Sequence, residues 1–374
     1  MKKIKLFEEN RNINLIIKTV GNACNINCAY CFEQAKEIKK EFITPEELEK
    51  IIEKVQTTCS VVFHGGEPLM VGCENFSALL DVVRKYYSNK VLAVRIQTNG
   101  TLLDEQWMEL LYEKYNDLNI EIAISLDGTR KMNRYRVDYE GIETFDKIKA
   151  AYALLHKHNK LAGMLSVVSR QALEEVTDYI ELISSIPNLK FVKINALFNM
   201  EDDILTKDSI TPMEYAEFIY SVACRYIETG LYKKLAIEPI LSILQRINGH
   251  RSKYCNYSER KCFNYLSIYP DGKIGPCDCF SVNEFMISDA YKSNNMLNDD
   301  ALNYVKSEKT LDLKYLIDIC SDCDIKDFCM GGCLSQRYYF RNNQELLEDF
   351  CKSKHYLYEH FCQFCLDNNR KDTL

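Results

Sequence analysis

Cysteine is the residue type in this chain best placed to do chemistry. There are 17, and they are clustered. Cys24-Asn25-Ile26-Asn27-Cys28-Ala29-Tyr30-Cys31 sets three thiols at C-x3-C-x2-C spacing; a second dense group runs from Cys255 to Cys365, and residues 74–223 hold none. Three thiolates on one loop can hold three irons of a cubane and leave the fourth iron open. Tetrahedral zinc would want a fourth protein ligand nearby, and a zinc knuckle or three buried cysteines is the plainer alternative. A second signature is His64-Gly65-Gly66-Glu67-Pro68. Paired glycines let backbone approach a ligand closely. Glu67 offers a carboxylate to a cationic group such as an α-amine. Alone, the segment also reads as a turn.

These residues need elements to position them. Short Val- and Ile-rich runs at Asn14–Val20, Ser60–His64, Leu92–Gln97, Ile120–Ser125, Leu161–Val168 and Phe191–Ala196 read as buried parallel strands. Amphipathic stretches between them, such as Thr44–Gln56, Glu74–Lys85, Asp104–Lys114, Thr144–His158 and Leu173–Ser184, read as helices. Thr44-Pro45-Glu46-Glu47 is a helix start: a cap, proline at the first position and acids in the first turn. Alternation of this kind implies right-handed β/α units. Six units fall short of the eight of a closed barrel, so the fold class is α/β, a partial (β/α)6 TIM-type barrel. The cysteine loop and His64–Pro68 each follow a strand, on the face where such barrels do chemistry. Residues 211–228 and 237–247 read as two helices with no strand between.

The apolar share of 47% and charged share of 27% are those of a globular chain. No run approaches the ~20 apolar residues of a membrane span, and the start does not read as a signal peptide, which points to the cytoplasm. In that setting clustered cysteines mean metal more often than disulfides. The net charge of −7 disfavours nucleic-acid binding. The expected organisation is a barrel over 1–205, a helical bridge over 206–254 and a cysteine-rich domain over 255–374, with a polar tail at 368–374. The first strand lies so close to the start that no room is expected for a separate leader-peptide-binding domain.

The chain resembles the radical S-adenosylmethionine superfamily. Cys24, Cys28, Tyr30 and Cys31 match its C-x3-C-x2-C signature with an aromatic before the third cysteine, and Gly65–Pro68 match its Gly-Gly-Glu-Pro segment. The resemblance implies a 4Fe-4S cluster whose open iron chelates S-adenosyl-L-methionine, and cleavage to a 5′-deoxyadenosyl radical that abstracts a substrate hydrogen. It implies cofactor contacts at Tyr30, Gly65, Gly66 and Glu67. It further implies them at Asn99 of Gln97-Thr98-Asn99-Gly100, at Ser125 of Ser125-Leu126-Asp127-Gly128, at Arg136, for which Arg134 competes, and at Leu197 against adenine.

Downstream, Cys262, Gly272, Cys277, then Cys320-x2-Cys323-x5-Cys329-x3-Cys333 and Cys351 resemble the SPASM extension of peptide-modifying radical enzymes. Cys255 supplies an eighth thiol. The resemblance implies one auxiliary cluster on Cys255, Cys262, Cys277 and Cys333, and a second on Cys320, Cys323, Cys329 and Cys351, making three 4Fe-4S clusters in all. A pair of zinc ribbons is the alternative. Cys279 reads as an alternative ligand or a reactive thiol, and Cys362-x2-Cys365 as helix packing or a weak redox signal.

Asp278, directly after Cys277, is the candidate base, as the aspartate at this position is in the related anaerobic sulfatase-maturating enzymes. Those enzymes usually carry glutamine where this chain has His64, a residue expected beside substrate. The expected activity is therefore maturation of a ribosomally made peptide by a thioether or carbon–carbon link. The alternatives are sulfatase-type conversion of Cys or Ser to formylglycine and a non-catalytic metal scaffold. The expected partners are a peptide or protein substrate and a one-electron reductant such as flavodoxin or ferredoxin, with no nucleic acid and no membrane.

Overall fold

Runs such as Ile13-Asn14-Leu15-Ile16-Ile17-Lys18 form strands because both their faces are covered: five of these six residues are buried. The computed structural model describes residues 4–35 and 42–367, so the tail expected at 368–374 lies outside the described residues. Strands β1 (Ile13–Lys18), β2 (Cys59–His64), β3 (Val91–Thr98), β4 (Glu121–Ser125), β5 (Ala162–Val168) and β6 (Leu189–Ala196) pair in that order, all parallel. Helices α1 (Pro45–Glu53), α2 (Gly72–Tyr86), α3 (Glu105–Glu109), α4 (Phe145–Lys157) and α5 (Val176–Ser185) form the connections. The α/β class and its mostly parallel sheet are as expected.

Beyond β6, a small hairpin of β7 (Met200–Glu201) and β8 (Ile204–Leu205) leads into α6 (Pro212–Glu228). The sequence suggested no strand before the next helix, α7 (Ile240–Ile247), but β9 (Ala236–Glu238) lies there and pairs in parallel with β6. Three residues are too few to show a period of two, and only the burial of Ile237 against the sheet betrays the strand.

The cysteine-rich segment continues the same sheet. Strand β10 (Tyr265–Ile268) pairs in parallel with β1, and β11 (Lys273–Gly275) and β12 (Ser288–Asp289) follow in antiparallel. The ten strands therefore run β12-β11-β10-β1-β2-β3-β4-β5-β6-β9. β1 thus has the cysteine-rich strands on one side and the β/α units on the other. Helices α8 (Leu297–Lys306), α9 (Leu311–Asp318), α10 (Lys326–Cys329), α11 (Leu334–Phe340) and α12 (Gln344–Asp367) complete the chain. One apolar core joins Phe63, Phe76 and Trp107 to Phe263, Phe328 and Phe361. No described helix is long and apolar enough to cross a membrane.

Helix α1 starts as its sequence demands. The Glu47 backbone N–H donates to Thr44 Oγ1 at 3.3 Å, and the Thr44 N–H donates to Glu47 Oε2 at 2.9 Å. Thr44→Ala removes half of this reciprocal cap, so a chemical-denaturation midpoint should report a loss of about 1 kcal/mol.

Candidate functional site

The C-x3-C-x2-C loop leaves the end of β1 and is held by its neighbours. Gly66 N donates to Gly21 O at 2.9 Å and Glu67 N to Ala23 O at 2.8 Å, so the segment after β2 is bonded to the residues just before Cys24. A Cβ at Gly66 would lie 1.8 Å from Ala23 O, and Gly65 has φ +108°. The glycines are required by the approach of the two loops to each other.

Glu67 differs from expectation. Its side chain is fully buried, with Oε1 accepting from Leu69 N and Thr98 Oγ1 at 3.1 and 2.7 Å and Oε2 accepting from Asn99 N at 2.7 Å. The carboxylate is committed to three donors of the chain itself, so it ties the ends of β2 and β3 together instead of standing open for an amine. Burial pushes its pKa up to about 7, against the pull of those three hydrogen bonds.

Asn99 Nδ2 lies 3.7 Å from Cys24 Sγ and donates to Asn25 Oδ1 at 2.8 Å, bracing the cysteine loop. Ser125 and Leu197 sit buried at the ends of β4 and β6. Arg136, not Arg134, faces the cysteines. Its Nη1 is 3.9 Å from Cys28 Sγ, while Arg134 is exposed and lies over the Tyr135 ring. Asp127 accepts from Arg136 Nη2 at 3.1 Å, from Val167 N at 3.2 Å and from the Tyr30 hydroxyl at 2.5 Å. Asp127 organises this wall, although sequence reasoning gave it no role.

The most unusual feature lies where β1 and β2 end. Their register sets Lys18 beside His64. Lys18 has no exposed surface, and its Nζ donates to Glu33 Oε1 at 2.5 Å, Asp278 Oδ2 at 2.9 Å and His64 Nδ1 at 3.1 Å. Burial alone would neutralise the amine; Asp278 and Glu33 outweigh it and hold Lys18 charged, well above the ordinary lysine range. Gly65 N also donates to His64 Nδ1, at 2.7 Å. Nδ1 is therefore the ring nitrogen that accepts from Gly65 N and faces Lys18 Nζ, with Asp278 Oδ2 3.8 Å away. Asp278 and His64 are thus brought together. Lys18 and Glu33 were missed: one reads as the end of an apolar strand, and the other as a residue trailing Cys31.

Of the downstream cysteines, Cys255, Cys262 and Cys333 lie within electrostatic reach of one another and Cys277 within reach of Cys262, with Cys277 N donating to Cys262 O at 3.0 Å. Cys320, Cys323, Cys329 and Cys351 line one open cavity, together with Arg337 and Lys354. Cys365 is packed in the apolar core.

Whether metal clusters fit can be judged from the cations around the thiols. Lys261 and Lys354 are 2% and 6% exposed, and burial lowers the pKa of each. Lys261 is bonded to the carbonyls of Cys255 and Gly332, while Arg337 Nη1 is 3.3 Å from Cys320 Sγ and its Nε and Nη2 have no partner. Buried cations require anions. Neutral thiols or disulfides supply none, whereas thiolates deprotonated by a bound metal do. At the first loop, burial pushes Cys24 up to about 11, a cost that metal ligation reverses, and Arg136 Nε is likewise buried without a partner. The donor sets fit thiolate-ligated clusters.

The Glu67 pKa fixes a pH dependence. A carboxylate raised on folding stabilises fully below its unfolded pKa, and that contribution is lost as pH rises through the folded value near 7. Glu67→Gln has no such dependence. Thermal melts of the two proteins should show wild type losing ground to the variant between about pH 4.5 and 7 and holding level above; a constant difference would contradict the burial of this group.

Comparison with known proteins agrees with the geometry. The family model for the radical SAM superfamily matches residues 19–183. The chain is 26% identical over 363 residues to a cysteine-type anaerobic sulfatase-maturating enzyme of Clostridium perfringens, covering 93% of this chain and 96% of that one. It is 25% identical over 392 residues to a serine-type enzyme of Bacteroides thetaiotaomicron, covering 96% and 92%. It also resembles the radical SAM cyclopropyl synthase TigE of Paramaledivibacter caminithermalis, at 25% identity with 89% and 70% covered. Among solved structures, native anSMEcpe with bound AdoMet and Cp18Cys peptide superposes with TM-score 0.81 at 25% identity, covering 96% and 99%. The cysteine loop, the parallel sheet and these relationships show an enzyme with a radical SAM domain over residues 19–183 that is similar along nearly its whole length to the anaerobic sulfatase-maturating enzymes.

Proposed function

We propose that this enzyme oxidises a cysteine or serine side chain of a peptide or protein substrate to the aldehyde of formylglycine. One observation carries the reading: Asp278, from the turn after β11, is held by Lys18 beside Glu33 and His64, next to the cysteine loop. Similarity to both cysteine- and serine-type sulfatase-maturating enzymes along more than nine-tenths of the chain supports it over the cross-linking activity favoured by sequence alone.

Cys24, Cys28 and Cys31 would hold a 4Fe-4S cluster, with the two auxiliary sets holding one each. Arg136, Ser125, Asn99, Tyr30, Leu197 and the backbone of Gly65–Glu67 would line the S-adenosylmethionine site. That cofactor set supplies abstraction of a hydrogen atom and removal of the second electron. The chain's own residues must handle the proton. Oxidising a –CH2–SH or –CH2–OH group to a C=S or C=O group releases one proton from sulfur or oxygen, and Asp278 is the group positioned to take it; a C=S product then becomes the aldehyde by hydrolysis, water supplying the oxygen and the sulfur leaving as hydrogen sulfide. Lys18 is its positioning residue: the buried ammonium, 2.9 Å from Asp278 Oδ2, fixes the orientation of the carboxylate. His64 Nδ1 lies 3.8 Å from the same carboxylate oxygen and borders the site on the β2 side. Flavodoxin or ferredoxin is the proposed reductant class.

The second reading, a thioether or carbon–carbon link, is favoured by His64 and by the similarity to a cyclopropyl synthase. Asp278→Asn tests the assignment. Loss of a general base costs roughly 10²–10⁴-fold, so aldehyde formation on a cysteine-containing peptide should fall by that factor while 5′-deoxyadenosine is still released. Full peptide turnover by Asp278→Asn would remove Asp278 from the mechanism.

A further inference from the structure

The first auxiliary site holds one thiol more than a closed cluster needs. Cys277, Asp278, Cys279 and Phe280 form a tight turn closed by Phe280 N donating to Cys277 O at 2.9 Å. The thiols of Cys277 and Cys279 and a carboxylate oxygen of Asp278 all lie within 4.8 Å of one another. The Cys277 and Cys279 thiols are hydrogen-bonded, and Cys279 is within electrostatic reach of Cys255, Cys262 and Cys333 as well. Of the five, Cys279 alone is exposed. Lys193 faces Cys255, Cys277 and Cys279 together, so the same buried cation can balance a thiolate at either turn position.

Building on the cluster reading above, we propose that Cys279 is a fifth ligand of the first auxiliary site, able to take the place of Cys277 on the same iron. The exchange conserves charge and electrons. One iron–sulfur bond to Cys277 breaks and one to Cys279 forms, and the proton of the Cys279 thiol passes to the departing Cys277 thiolate across the contact they already make. No oxidant or reductant is consumed. Because Asp278 lies between the two thiols in the turn, the exchange also turns the backbone that carries the candidate base.

The test uses the full chain, reconstituted anaerobically with iron and sulfide, as wild type, Cys277→Ala, Cys279→Ala and the double variant. With three 4Fe-4S clusters, the expected iron contents are about twelve, twelve, twelve and eight per chain. Iodoacetamide labelling followed by peptide mass spectrometry should find Cys279 modified in the wild type and protected in Cys277→Ala. Loss of four irons by Cys277→Ala alone, with Cys279 labelled as fast as in the wild type, overturns the proposal. If Cys277→Ala does not fold, Cys277→Ser is read by the same two measurements. A wild type holding only about four irons is a different result: it removes the auxiliary clusters themselves, and the proposal with them.

Discussion

A lysine ammonium with no exposed surface, between two carboxylates, is the interaction on which the site depends. Breaking such a pair by removing one partner typically costs about 3–5 kcal/mol, because the remaining charge is stranded away from water. Its three partners come from three places: Glu33 from the cysteine loop, His64 from the end of β2, and Asp278 from the cysteine-rich segment 260 residues away in sequence. β1 can carry such a residue because it pairs with β2 on one side and β10 on the other. The loop that would hold the radical-generating cluster and the turn that would hold an auxiliary ligand are therefore fixed to one strand.

The same electrostatic logic extends through the cysteine-rich segment. Lys261, Lys354 and Arg337 are buried among thiols: Lys261 is bonded to carbonyls, Arg337 to a carbonyl and a sulfur, and Lys354 lies by the Tyr257 and Phe350 rings. Such cations are expensive unless anionic ligands gather around them, and metal-bound thiolates are those ligands. The continuous sheet supplies the rigidity: β10 and β11 place Cys262 and Cys277 at adjoining backbone positions before any metal is considered.

Much of this was legible in the sequence because it is local. C-x3-C-x2-C fits on a single loop, Thr44-Pro45-Glu46-Glu47 caps its own helix, and the six Val- and Ile-rich runs need only burial on both faces. What escaped depends on distant partners. Lys18 is the last residue of an apolar strand, and nothing near it in sequence announces Asp278. Glu67 reads as an open carboxylate until the ends of β2 and β3 close over it. Arg134 and Arg136 are two residues apart, and only the contact with Asp127 and Cys28 separates them. β9 is too short for periodicity and exists because β6 offers it an edge.

The central claim is that this chain removes a hydrogen from the side-chain carbon of a cysteine or serine and leaves an aldehyde there. It is tested most directly by supplying a peptide whose cysteine carries deuterium on its β-carbon and following both products by mass spectrometry. The expected products are deuterium-bearing 5′-deoxyadenosine and a peptide that reacts with a hydrazide probe. Deuterium-free 5′-deoxyadenosine together with an internally cross-linked, hydrazide-silent peptide would contradict it.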